Sequence, residues 1–71
     1  MAAEEPPETE FPSRIGRPAQ RALALNGYTR FEQLTRTTPA ELLKLHGMGK
    51  KGVAILREEL AARGMSFAGE S

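Results

Sequence analysis

The chain has 71 residues, with ten Lys and Arg against nine Glu, and it contains no cysteine. A chain of this length supplies one small core, too little to enclose a buried active site, and without cysteine neither a disulfide nor a thiolate-bound metal can brace it, so the fold must rest on helix packing. No apolar run approaches the roughly 18 residues of a membrane span, and the first ten residues lack the basic and apolar regions of a signal peptide, so the expected setting is the cytoplasm.

The formal net charge of +1 hides an uneven distribution. All ten basic residues lie from Arg14 onward, where only Glu32, Glu41, Glu58, Glu59 and Glu70 oppose them, so residues 11–71 carry +5. Glu4, Glu5, Glu8 and Glu10 give the first ten residues −4. A folded body with that excess attracts polyanions, whereas the leading stretch, acidic and proline-containing with almost nothing to bury, reads as a disordered tail over residues 1–10. The domain is then expected over residues 11–69. A further expectation is that the acids from Glu4 to Glu10 compete with a polyanion for the basic face.

After Phe11-Pro12-Ser13 the pattern becomes helical. Pro18 suits a first turn, Ala19, Ala22, Leu23 and Leu25 form an apolar stripe, and Asn26-Gly27 ends a first helix over about 17–26. Thr29-Arg30-Phe31-Glu32 has the spacing of a capping box, opening a short helix that buries Tyr28, Phe31 and Leu34 and ends near Thr35. The device recurs at Thr38-Pro39-Ala40-Glu41, with proline at the first helical position and Leu42, Leu43 and Leu45 following. That third helix can run only to about Leu45, because Gly47 and Gly49 follow. A longer helix extends from about Lys50 to Arg63 and stops at Gly64, with Val53, Leu56 and Leu60 facing the core. Met65 and Phe67 are placed to fold back over its end. Nothing alternates long enough to make a strand, so the expected fold is a compact all-α domain of four to five short helices.

The segment that carries chemistry is Leu45-His46-Gly47-Met48-Gly49-Lys50-Lys51-Gly52. Two glycines flank Met48, which lets the backbone turn sharply while Met48 points inward and pins the turn. The amides from Gly49 to Gly52 precede any intrahelical acceptor, and the aligned peptide dipoles add partial positive charge, so this helix start is suited to an anion. Lys50 and Lys51 add full charges at the same end, where they oppose the dipole at a cost of a few tenths of a kcal/mol. They are misplaced for stability and well placed for binding. Gly52, inside the helix, costs roughly 1 kcal/mol against alanine but allows a phosphate or a neighbouring helix to approach.

The remaining polar residues point to no catalysis. His46 is the sole histidine and reads as a loop residue, not a metal ligand. Glu58 and Glu59 are adjacent, hence about 100° apart on a helix, and are not a catalytic pair. Ser13, Ser66 and Ser71 have no histidine and carboxylate partners, and no Walker-type loop is present. No enzyme, cofactor or metal is expected. Arg14, Arg17 and Arg21, at the start of the first helix, are candidates to extend the basic face.

The run Leu-x-Gly-h-Gly-x-Lys-x-h-Ala, with h apolar, resembles the hairpin of the helix-hairpin-helix family, in which His46 stands where proline is usual. Residues Phe11-Pro12-Ser13-Arg14-Ile15-Gly16-Arg17-Pro18-Ala19 look like a second, degenerate copy with one glycine missing. From Ile15 to about Phe67 the order of elements is also similar to the C-terminal domain of the bacterial RNA polymerase α subunit. That likeness is carried by Glu41-Leu42-Leu43-Lys44, Gly49-Lys50-Lys51 and Leu60-Ala61-Ala62-Arg63-Gly64-Met65-Ser66. The resemblance implies an all-α, SAM-like domain with one clear and one degenerate helix-hairpin-helix unit that holds double-stranded DNA by its phosphates, in transcription or DNA maintenance, as a monomer. Pro18 stands where that family has a minor-groove arginine and Gly52 where it has a serine, so backbone binding carries over and base preference does not. The site residues expected on this basis are Gly47, Met48, Gly49, Lys50, Lys51 and Gly52, with Arg17 and Arg21 as auxiliary contacts. Two rival readings are a protein-interaction module, docking on a transcription or repair protein through an apolar patch around Ile55, Leu25 and Phe67, and a weak RNA binder.

Overall fold

A computed structural model describes residues 9–70. Within them the chain forms a 3₁₀ turn over Ser13–Ile15 and four helices, α1 (Arg17–Leu25), α2 (Phe31–Leu34), α3 (Pro39–Leu43) and α4 (Lys50–Ala62), with no strand. All four helices stand where the periodicity places them, and only their ends differ, by one or two residues. No helix among the described residues is long and apolar enough to cross a membrane.

The two longer helices end in the same way. At the end of α1 the Gly27 amide donates to the Ala24 carbonyl and the Tyr28 amide to the Leu23 carbonyl. At the end of α4 Gly64 donates to Ala61 and Met65 to Leu60. This pair of bonds requires a left-handed residue after the helix, supplied by Gly27 at φ 86° and Gly64 at φ 75°. The reversal after α4 lays Phe67 into the core, 1% exposed, where the Ala68 amide bonds to the Thr37 carbonyl and holds the closing segment against the start of α3.

The core is built from one face of each helix: Ala19, Ala22 and Leu23 of α1, Phe31 and Leu34 of α2, Leu42 of α3, and Val53, Leu56 and Leu60 of α4. Leu23, Leu34, Leu42, Leu56 and Leu60 are all fully buried, and their removal from water drives the assembly. Tyr28, Leu45, Ile55 and Met65 cover the rim of this cluster. Leu25 does not belong to it: at the last position of α1 it is 78% exposed, so the apolar stripe of that helix ends at Leu23.

Two corrections concern the caps of α2. The side chain that accepts from the Thr29 and Arg30 amides is Gln33, at 2.7 and 2.8 Å, in place of the expected Glu32. The helix starts at Phe31, so Gln33 is its third residue and Glu32 its second, and Glu32 cannot reach back over the N-cap. The second correction moves the edge of the domain. Glu10 is part of the fold: its amide donates to the Thr29 carbonyl at 2.9 Å, and its carboxylate accepts from the Phe31 amide at 2.9 Å. A carboxylate at a helix N-terminus satisfies an orphan donor and complements the dipole, which is why this acid is held at α2. Next to it Phe11 is buried and meets Phe31 edge to face, with centroids 5.2 Å apart. Glu10 therefore belongs with the domain and not with the expected tail over residues 1–10, of which residues 1–8, with Glu4, Glu5 and Glu8, lie outside the described residues.

Candidate functional site

α3 is capped at its start by Thr38, whose hydroxyl oxygen accepts from the Glu41 amide at 3.2 Å, and it ends at Leu43. Two 3₁₀-type bonds, Leu45 to Leu42 and Met48 to Leu45, then carry the chain through a tight turn into α4. Met48 is 7% exposed and joins the core, so the turn is pinned from inside as its sequence suggests. Gly47, Gly49, Lys50 and Lys51 are exposed around it.

The turn is held against the start of α1. Gly47 has φ 99°, and a Cβ there would stand 2.7 Å from the carbonyl oxygen of Pro18. Gly52 is buried one turn into α4, and a Cβ there would meet the Met48 sulfur at 3.3 Å and the Ala19 Cβ at 3.7 Å. Its role is close packing against α1 and the 3₁₀ turn, so of the two alternatives open at this position the neighbouring helix takes the space. Gly49 differs from both: its φ is −123° and a Cβ would touch nothing within 4 Å.

Gly49 is the N-cap of α4. Among the described residues no side chain caps this helix, and no acid occupies its first turn, in contrast to α2 and α3, whose first turns carry Glu32 and Glu41. The first bond of the helix runs from the Val53 amide to the Gly49 carbonyl. The amides of Gly49, Lys50, Lys51 and Gly52 have no acceptor among the described residues, leaving a 13-residue helix with a bare positive end.

The ion pairs decide which cations are available there. Arg14 pairs with Glu59 at 2.9 Å and Glu58 at 3.7 Å, Arg63 with Glu59 at 2.7 Å, Arg57 with Glu70 at 2.8 Å, and Lys44 with Glu41 at 3.4 Å. Arg17, Arg21, Lys50 and Lys51 take part in no ion pair among the described residues. Arg14 is thus removed from the arginine cluster expected at the start of α1, because the 3₁₀ turn that carries it packs on α4 and pairs it with Glu58 and Glu59 in the C-terminal half of that helix. Two guanidinium groups hold the Glu59 carboxyl below its ordinary range, chiefly by the hydrogen bond from Arg63 and then that from Arg14. The bond from Arg57 does the same for Glu70.

α1 and His46 border a groove of about 490 Å³. Its lining combines Arg17 and Arg21 with the apolar Pro18, Ala22 and Leu25. The groove is not legible in the sequence, since His46 and Arg21 become neighbours only through the Gly47 to Pro18 approach; the exposed Leu25 is the sole local trace of it. Among the described residues no three acidic or histidine side chains gather as metal ligands. No family model, curated protein or solved structure matches the chain.

Proposed function

We propose that this chain is a small non-enzymatic DNA-binding module of the helix-hairpin-helix type, similar to the C-terminal domain of the bacterial RNA polymerase α subunit, that grips the phosphate backbone of duplex DNA without reading bases. The observation that carries this reading is the uncapped start of α4, where, among the described residues, four amides lack an acceptor while Lys50 and Lys51 are exposed and unpaired. Phosphate supplies both what the dipole lacks and what the lysines lack. Gly47, Gly49, Lys50 and Lys51 form the contact surface, Met48 and Gly52 set its shape from within, and Arg17 and Arg21 add charge from α1. The second, degenerate hairpin is supported by the start of α1, where the 3₁₀ turn reaches Gly16 at φ 93° and the helix begins at once, with the turn before α4 packed on it through Gly47 and Pro18.

A module that neutralises on the order of three phosphates binds unrelated duplex DNA with a dissociation constant of about 10⁻⁴ to 10⁻⁶ M at physiological salt, with a slope of log affinity on log salt of about −2.7. The test is a salt titration of the wild type beside the Lys50→Glu, Lys51→Glu variant, which should lose most of its affinity and flatten the slope. Absence of binding near 50 mM salt, or binding indifferent to the two substitutions, overturns the proposal. The same titration with single strands and RNA separates DNA from RNA. A second reading, docking on a protein, is favoured by the exposed Leu25 beside Arg21; Ile55 and Phe67 do not extend that patch, being packed on the core.

A further inference from the structure

The lining of the groove beside α1 contains a ladder. Arg17, Arg21 and Leu25 follow one another at intervals of four residues, so they stand on one side of the helix with a rise of about 6 Å between them, and all three are exposed. Leu25, at 78%, is more exposed than any other large apolar side chain among the described residues. Pro18 and Ala22 bring further apolar surface to the lining.

Two contacts fix this lining in place. Gly47 is seated against the Pro18 carbonyl, and the Asn26 side-chain amide donates to the Ala22 carbonyl at 2.7 Å. A preformed surface loses little freedom on association, which favours its use as a binding face. Apolar surface bordered by arginine is also the composition of a protein interface, where an apolar anchor supplies affinity and guanidinium groups hold carboxylates. The ladder defines the chemistry of a matching partner. A helix laid along α1 has the same rise, so two carboxylates one turn apart can meet Arg17 and Arg21 while an apolar side chain a further turn on meets Leu25. A nucleic-acid backbone offers the anions and no apolar group for Leu25. A second copy of the chain, seated by the same face, sets arginines against arginines.

We infer that the face of α1 formed by Arg17, Arg21 and Leu25 docks an acidic amphipathic helix of a partner protein, with two carboxylates answering the arginines and an apolar side chain covering Leu25. This rests on the protein-docking reading and is independent of the DNA reading.

The test uses a lactam-bridged helical peptide of about 15 residues, carrying two glutamates one turn apart and a leucine one turn beyond them on an alanine and glutamine background, titrated into the full isotope-labelled chain. Amide shifts should centre on Ala22, Leu25, Asn26 and His46 and spare Lys50 and Lys51. Leu25→Ser, and separately Arg17→Gln with Arg21→Gln, should each weaken binding about tenfold. The three side chains are exposed, so the spectrum of the rest of the domain should stay that of the wild type. No shift at millimolar peptide, or shifts centred on Lys50 and Lys51, overturns the inference. A peptide with glutamine in place of glutamate that binds the same face as tightly overturns the acidic partner and leaves protein docking standing. Three further outcomes overturn it by giving the groove another occupant. Binding that emerges only in the Glu4→Gln, Glu5→Gln, Glu8→Gln variant assigns the groove to the chain's own acids. Shifts at the same residues on raising the chain concentration alone assign it to a second copy, and shifts of the Leu25 methyls on adding duplex DNA assign it to nucleic acid.

Discussion

Gly47 is seated against the backbone of Pro18 so closely that a Cβ on it would lie 2.7 Å from the Pro18 carbonyl oxygen, and its φ of 99° excludes most side chains independently. Gly49, two residues on, has open space and an extended backbone. Gly47→Ala should therefore cost about 2–4 kcal/mol, since strain and a backbone clash add. Gly49→Ala should stay within about 1 kcal/mol of wild type, the weaker N-cap being partly offset by a less flexible unfolded chain. Urea unfolding of the two variants measures the difference, and equal losses would contradict the packing of the turn on α1.

Gly49 also separates stability from binding. Gly49→Asp places a carboxylate at the N-cap of α4, where it satisfies an amide, complements the dipole and neutralises part of the charge of Lys50 and Lys51. The expected outcome is a gain of about 1 kcal/mol in unfolding free energy together with a marked loss of DNA affinity. A variant that is more stable and binds as before would show that the start of α4 is not the contact.

Glu10 should behave as a structural residue. Its carboxylate accepts the first amide of α2, and Glu10→Ala removes that partner. The expected cost is about 1 kcal/mol, in the range of lost helix caps, read from denaturant midpoints at unchanged m-value. No loss at all would mean that the Glu10 carboxylate does not hold the start of α2.

Acid should weaken the fold through Glu59 and Glu70. Both carboxyls are held below their ordinary value in the folded chain by arginine hydrogen bonds, so each contributes stability that is complete above the unfolded value, near pH 4.3, and is lost as pH falls through the lower folded value. Both groups are exposed to solvent screening, so the effect is small. Urea midpoints followed from pH 6 to pH 3 should fall less steeply for Glu59→Gln than for wild type. Parallel curves would mean that Arg14 and Arg63 do not hold Glu59 in solution.

The helices were legible because each carries its own signals. Pro39 after Thr38 starts one helix, Gly27 and Gly64 end two others, and Val53, Leu56 and Leu60 repeat at the spacing of a buried face. The bare start of α4 was legible for the same reason, since unpaired amides follow from helix geometry and from the absence of a capping side chain nearby. Contacts between residues distant in the chain leave no such local signal. Glu10 at the Phe31 amide, Arg14 at Glu59, Gly52 on Ala19 and His46 beside Arg21 each join elements whose distance the core sets. What the sequence alone determined is an all-helical domain with an uncapped, lysine-bearing helix start. The tertiary structure decided which charges stay available there, because packing pairs Arg14 with Glu59 and leaves Arg17 and Arg21 beside an apolar groove.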